Sequence, residues 1–334
     1  VAASGGLDST ALLHATVAAA KALGLRVVAL HVHHGLQGAA DAAAERLAAT
    51  CARWARRGAP VALAIERLAG RPARGESVEA WARRERRAAL ARMAKSHGAG
   101  LVLLAHHRGD QAETFLLQAL RGGGPAGLAA MPREAVRDGL VWCRPWLQQP
   151  RARLEAYARR HRLVHVEDAS NADPRFARNR LRQQVWPPLT EAFPDAEAVF
   201  AAASERAAEA AVALRELAAL DHAACRSPHD ASALDLVRLA ALGEARRANL
   251  LRHWLAGAVA EQARLRAPPA PVVPGTLVQR LVLEARPGRG RSWPLGRWRV
   301  RAVRGRLVLE PVPVPAPDPM PAPAPAGRPS APIK

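Results

Sequence analysis

The chain has little of what would hold a metal cluster or run redox chemistry. Its three cysteines, Cys51, Cys143 and Cys225, are scattered over 334 residues. They are odd in number and form no Cys-x-x-Cys pair, which excludes zinc, iron–sulfur and dithiol sites built on paired thiols. A disulfide framework does not suit so long and cysteine-poor a chain, so a reducing cytosol is expected, with all three as buried small side chains. Aromatic residues make up only 4% of the chain, and alanine supplies much of the 49% hydrophobic fraction. Small side chains in long runs favour helices. No run approaches the ~20 apolar residues of a membrane span, and no basic-then-apolar leader is present. These absences argue against a membrane or Sec-exported protein and for a cytoplasmic one. No methionine opens the chain, and only Val1-Ala2-Ala3 precede the first turn signal. That is short of the usual ~5–6-residue strand, so the natural start is expected upstream. No repeat of roughly 20–50 residues is visible.

Acidic residues are also scarce. Asp and Glu number 29 against 49 Lys and Arg, giving a net charge of +20 and a pI near 11.6. Lysine occurs only at Lys21, Lys95 and Lys334, so the charge is almost wholly arginine. Codon bias in a GC-rich genome explains abundant arginine but not missing acids. A charge this large draws a polyanion, with nucleic acid favoured over an anionic membrane surface.

What is present alternates between strand and helix signals. Helices are expected over 10–23, 41–57, 76–97, 110–120 and 151–160, with Ser77 as a cap. Strands are expected over 26–32, 61–65, 101–105 and 140–146. Such alternation implies a doubly wound, mainly parallel α/β sheet covered on both faces, with ligands beyond the carboxyl ends of its strands. After about residue 193 the pattern becomes mostly helical, over 196–220 and 234–255. A basic hairpin follows, with strands at 298–303 and 307–309 and a turn at Arg304-Gly305. The expected domains are therefore a catalytic domain over 1–190, a smaller, mostly helical domain with a terminal hairpin over 191–310, and a disordered Pro/Ala-rich tail over 311–334.

Two clusters carry chemistry. Ser4-Gly5-Gly6-Leu7-Asp8-Ser9-Thr10 follows a strand remnant and opens a helix. Glycines allow close backbone approach, and successive N–H groups at a helix start cradle anions. Asp8 would repel phosphate unless Mg²⁺ lay between them. The loop lacks the Gly-Lys-Ser/Thr of a Walker A motif. The plainer reading is a Ser/Gly turn with Asp8 capping the helix. In the second cluster, His106 ends a strand, and Asp110 and Glu113 sit three apart at the start of a helix, facing one way. Here the plainer reading is that Asp110 caps the helix and Glu113 completes a capping box.

These motifs resemble the PP-loop ATP pyrophosphatases, with their Ser-Gly-Gly-x-Asp-Ser loop, and within them the tRNA(Ile)-lysidine synthetases. His31-Val32-His33-His34-Gly35-Leu36-Gln37 is similar to that family's His-Val-Asn-His-Gly-Leu-Arg. Glu79-Ala80-Trp81-Ala82-Arg83-Arg84-Glu85-Arg86 matches Glu-Ala-x-Ala-Arg-x-x-Arg. Ala105-His106-His107-Arg108-Gly109-Asp110-Gln111-Ala112-Glu113-Thr114 resembles Ala-His-His-x-Asp-Asp-Gln-x-Glu-Thr. Arg121-Gly122-Gly123-Gly124-Pro125-Ala126-Gly127-Leu128, the acidic motif beginning at Glu167-Asp168 and Arg178-Asn179-Arg180-Leu181-Arg182 follow in order. The likeness covers about residues 1–189. Three positions depart from it: Gly109 stands for the first Asp of Asp-Asp, Gln37 for an Arg, and Arg87 for a Tyr.

The resemblance implies a ligase. ATP adenylates the first anticodon cytidine of a CAU-bearing isoleucine tRNA, and the ε-amine of free lysine then displaces AMP. It assigns nucleotide binding to Ser4, Gly5, Gly6, Leu7, Asp8 and Ser9, with Mg²⁺ on Asp8. It assigns catalysis or lysine binding to Asp8, His106, Asp110, Glu113 and Arg83. Arg178, Asn179 and Arg182 are expected either to bind tRNA or to order the preceding loop. His31, His33 and His34 are disfavoured as metal ligands, because no acid is close to them in sequence, and a loop beneath the adenine is preferred. No membrane or stable protein partner is implied. Two alternatives stand beside this reading: a tRNA thiolase, which would need paired cysteines, and a non-catalytic RNA-binding protein with a degenerate loop, for which Gly109 is the argument.

Overall fold

The computed structural model describes residues 1–33, 39–73, 75–166, 176–265, 273–288 and 290–312. The expected loop over 34–37, the acidic motif over 167–173 and the Pro/Ala tract from 313 lie outside the described residues. The described structure divides into two compact units, Val1–Val212 and Ala213–Lys334.

Burial along the first strands sets the architecture of the first unit. It begins with α1 (Leu7–Ala22), β1 (Val27–His33), α2 (Ala39–Arg56), β2 (Val61–Arg67), α3 (Val78–Ser96) and β3 (Leu101–Leu103). Val27 and Ala29 of β1 pack with Leu12, Leu13 and Val17 of α1 and Leu47 of α2. Leu30 and Val32 pack in a separate cluster with Leu90, Met93 and Ala94 of α3. A strand whose alternate residues enter two cores is a central strand of a doubly wound sheet. Val1–Ala3 is the seam of that sheet. The Ala2 N–H donates to Leu103 O at 2.9 Å, and the Ala3 N–H donates to Leu30 O at 2.9 Å, so this segment lies between β1 and β3. Three residues at such a position are buried through their neighbours on either side.

The chain continues through α4 (Arg108–Leu120), α5 (Pro125–Leu128), β4 (Glu134–Arg137), β5 (Leu140–Cys143) and α6 (Arg151–Arg160). β1 pairs in parallel with β2, and β3 with β5, while β4 adds an antiparallel edge to β5. The hairpin joining β4 to β5 turns at Asp138-Gly139, both with positive φ (55° and 74°), as a two-residue turn matched to strand twist requires. The sequence reading placed a strand over 140–146 and none over 134–137. The strand in fact stops at Cys143, and β4 escaped notice because Glu134-Ala135-Val136-Arg137 buries nothing fully.

Next come α7 (Ala177–Arg180), a π-helical turn (Leu181–Val185), α8 (Trp186–Ala192) and α9 (Ala196–Cys225). The π turn precedes Pro187 and Pro188, which lack the N–H groups that would close an α-helical ladder onto it. The boundary between the two units falls inside α9.

The second unit contains β6 (Arg226–Ser227), β7 (Asp230–Asp235), α10 (Leu236–Ala241), α11 (Glu244–Leu265), α12 (Gly275–Glu284), β8 (Arg291–Leu295), β9 (Trp298–Val303) and β10 (Arg306–Pro311). The expected hairpin is β9–β10, and it belongs to a five-stranded antiparallel sheet ordered β6-β7-β10-β9-β8. The single helix expected over 234–255 is instead the end of β7 plus α10 and α11. Asp235 accepts the Val237 and Arg238 N–H groups as a helix cap, and Leu242-Gly243 separates the two helices. Leu236, Leu250, Leu251, Trp254 and Leu281 pack with Val300 and Leu307 of the sheet around Trp293. The Trp293 Nε1–H donates to Glu284 Oε2 at 2.8 Å, so the core's largest fully buried side chain leaves no unpaired polar atom.

Candidate active site

The opening loop turns from the seam strand into α1. Gly5, at φ +90°, makes a bend that a side chain would strain. Ser9 ties the loop together: its hydroxyl accepts from the Ser4 N–H, donates to Gly6 O and lies 3.0 Å from the Ser4 hydroxyl. Gly6 is the N-cap of α1 and has no side chain to cap the first helical N–H groups; the Ser4 hydroxyl accepts only the N–H of Gly6 itself. The first N–H groups, which carry the positive end of the helix dipole, are therefore left for an anion. Leu7 is the first helical residue and Asp8 the second. Asp8 does not cap the helix, contrary to the plainer sequence reading.

Asp8 Oδ1 is buried without a hydrogen-bond partner. Burial raises the Asp8 pKa, His107 and Arg151 oppose the rise, and the Asp110 charge adds to it. An orphaned carboxylate oxygen beside bare N–H groups fits a hard divalent cation shared with phosphate oxygens. Among the described residues, no group of three or more His, Cys, Asp or Glu could hold a metal ion by itself.

α4 begins earlier than expected, because His107 is its cap. His107 Nδ1 accepts the Gly109 N–H at 3.1 Å, and Asp110 Oδ2 accepts the His107 N–H at 3.0 Å. Asp110 therefore closes the capping box from the third helical position, and Glu113 takes no part in it. With Nδ1 accepting, a neutral His107 carries its proton on Nε2. Nε2 lies 3.9 Å from Asp8 Oδ2 and 3.6 Å from Asp110 Oδ2, between the two carboxylates. A Cβ on Gly109 would lie 3.0 Å from the His107 ring and 3.6 Å from Glu197 Oε2, so the capping geometry favours glycine there. Glu197 in turn accepts from Arg108 Nε at 2.8 Å.

The expected carboxylate pair is brought together and clamped. Arg178 Nε donates to Glu113 Oε2 at 2.7 Å, and its Nη2 to Asp110 Oδ1 at 3.0 Å. Arg182 Nε donates to Glu113 Oε1 at 2.6 Å, and its Nη2 to the same Asp110 oxygen at 3.0 Å. Two cations and two anions close a compact ring, and Asn179 is buried beside them in the chain. Burial alone would raise the Asp110 pKa, but His107, Arg178, His106 and the His107 N–H together hold it below its usual value. His106 immediately precedes the cap residue in the chain. Burial lowers its pKa to about 4 against the pull of Asp110, with Arg144, Arg178 and Arg86 adding to the fall, so it is a neutral imidazole at pH 7. Its Nδ1 is buried without a partner.

Arg83 stands apart from this assembly. It is 66% exposed on α3 and paired with Glu79 one turn back. Arg86, one turn further on, is the arginine of that motif whose charge reaches His31 and His106. His31 bonds the Ala3 carbonyl oxygen at 2.8 Å, and His33 Nε2 lies 3.1 Å from Asp41, which also accepts from Arg67. The expected lack of an acidic partner does not hold for His33. Sequence reasoning also passed over His107 and Arg151, whose Nε is 3.9 Å from Asp8 Oδ1. For His107 the signal was the His-His pair itself. For Arg151, no local pattern pointed to the loop.

Known families match both parts of the chain. A family model described as "PP-loop domain" matches residues 1–189, and one described as "TilS substrate binding domain" matches residues 234–308. The chain is 47% identical over 266 residues to a tRNA(Ile)-lysidine synthase of Pseudomonas aeruginosa, covering 76% of this chain and 58% of that protein. It is 44% identical over 255 residues to the synthase of Polaromonas naphthalenivorans, covering 76% and 74%. The chain thus spans little more than half the length of the first of these relatives. Among solved structures, the U34-tRNA thiolase NcsA of Methanococcus maripaludis, with its [4Fe-4S] cluster, superposes with a TM-score of 0.51 at 14% identity, over 61% of this chain and 69% of that one. That likeness speaks to the fold alone.

Proposed function

The chain belongs to the PP-loop domain family and, within it, to the tRNA(Ile)-lysidine synthases, and on that premise we propose that it is a cytoplasmic ligase that uses ATP to join lysine to the first anticodon cytidine of a CAU-bearing isoleucine tRNA. The observation that carries the reading is the uncapped start of α1 with the orphaned Asp8 oxygen beside it. Ser4, Gly5, Gly6, Leu7, Asp8 and Ser9 would receive the nucleotide's phosphates. Mg²⁺ bound there with ATP supplies charge neutralisation for the departing pyrophosphate.

In the first step the cytidine O2 attacks the α-phosphorus, and the bond to pyrophosphate breaks. The loop N–H groups stabilise charge that builds on the phosphate oxygens. In the second step the lysine ammonium first gives up a proton, the neutral ε-amine attacks C2, the C–O bond to AMP breaks, and the nitrogen sheds a second proton as AMP leaves. Asp110 and Glu113 are the groups for that ammonium, and His106, neutral at pH 7, is available to accept a proton. Arg178 and Arg182 hold both carboxylates in place through four hydrogen bonds. With Asn179 they would pass to tRNA phosphates on binding, which frees carboxylate oxygens for lysine. Arg83, exposed on α3, would meet tRNA rather than the loop.

The test is incubation of the chain with ATP, radiolabelled lysine and an isoleucine tRNA transcript bearing CAU. Label entering the RNA only with ATP supports the reading. RNA binding without AMP release would instead make it a non-catalytic PP-loop protein, the reading that Gly109 favours.

A further inference from the structure

A cavity of about 540 Å³ opens along the carboxyl halves of α1 and α2 and the turn after α6. Four exposed cations line it: Lys21, Arg53, Arg57 and Arg162. No carboxylate lines it, and none of the four side chains has an ion-pair partner among the described residues. Lys21 and Arg53 alone would be ordinary complements to helix carboxyl ends. Two further observations are not explained that way. Arg162 adopts φ +49°, a left-handed conformation usually left to glycine after a helix, and this strain sets an arginine at the cavity rim. The wall is also a fixed aromatic cluster. His14 lies 5.2 Å from Trp54 and 4.8 Å from His161, His161 lies 4.3 Å from Tyr157, and a 2.9 Å hydrogen bond joins His14 to Tyr157.

Cations around preorganised ring faces suit a phosphate with a base attached. We propose that this cavity is a ribonucleotide-binding subsite that holds a nucleotide of an RNA strand, with a base against Trp54 and His161 and flanking phosphates on Lys21, Arg53, Arg57 and Arg162. The spread of four cations over three elements fits several phosphates of a strand better than one free nucleotide. From Asp8 to Ala18, at the cavity, α1 rises about 15 Å, so one RNA can reach both this subsite and the opening loop. The inference rests on the proposed function only in naming RNA as the polyanion.

The test begins with the unaltered full chain and a tRNA transcript carrying 4-thiouridine. Irradiation should give crosslinked peptides that contain Trp54 or His161. The double variant R53E/R57E should bind tRNA at least tenfold more weakly, with unchanged ATP affinity. Crosslinks that millimolar cytidine monophosphate removes would show that free nucleotides also enter, and crosslinks that persist would show a strand-only site. Absence of crosslinks at these peptides, or unaltered tRNA affinity in a folded double variant, overturns the proposal. Lysine incorporation measured on the same preparation separates the two readings, because a chain that modifies tRNA without these crosslinks fails this inference alone.

Discussion

At the scale of single residues, the site exchanges stability for readiness. Asp8 keeps a buried oxygen with no hydrogen-bond partner, a group that costs folding free energy unless a ligand satisfies it. Replacing Asp8 by Asn should therefore lower AMP release by roughly 10²–10³-fold, leave tRNA affinity nearly intact and leave the melting temperature equal or higher. A calorimetric scan beside the release assay reads both, and a fall in melting temperature would show a structural role instead. Arg178 is the opposite case. Its loss leaves both buried carboxylates to Arg182 alone, so Arg178→Ala should cost about 1–3 kcal/mol in urea denaturation. A double variant with Glu113→Gln should cost less than the sum of the two single changes. His106 gives a pH signature. Its folded pKa, about 4, lies below the ordinary value of 6.5, so the unfolded chain binds more protons between those limits. Stability is fully present above about pH 6.5 and declines as pH falls towards 4. His106→Gln should flatten that decline, as followed by denaturation midpoints across the window. None of these pairings was legible in advance. Arg178 lies 65 residues from Glu113 along the chain, and nothing in His106-His107 says which imidazole turns back to cap the helix.

At the scale of elements, the sequence was most readable where local chemistry decides the outcome. α6 runs from Arg151 to Arg160 as expected, after Pro150 and before a turn, and Ser77 caps α3 through the Ala80 N–H. It was least readable where tertiary packing overrides periodicity. Apolar spacing continues from Leu234 through Leu255, yet Leu234 pairs with Leu307 in a sheet, and Asp235 opens a new helix. Because that cap satisfies two backbone N–H groups, Asp235→Ala should lower the stability of the second unit by about 1 kcal/mol. Asp235→Asn should recover most of it, with thermal unfolding as the readout.

At the scale of the whole molecule, composition raised the expectation of a polyanionic partner and motif order gave the family, while the size of the second sheet stayed hidden. Three of its strands, β6, β7 and β8, are short or carry proline and weak alternation. A net charge of +20 sets the remaining prediction. tRNA affinity should fall roughly 10³-fold between about 50 and 200 mM salt, with a linear log–log slope, as filter binding would record. A flat profile would contradict an electrostatic grip.

The seam strand has an implication for the order of assembly. Val1–Ala3 is held between Leu30 and Leu103, so a chain emerging residue by residue from a ribosome cannot close the centre of its sheet until β3 is out. The loop that begins at Ser4 hangs directly from that seam. Nucleotide affinity in a nascent chain should therefore switch on late and abruptly, once Leu103 has cleared the exit tunnel, although the loop's own residues are translated well before it.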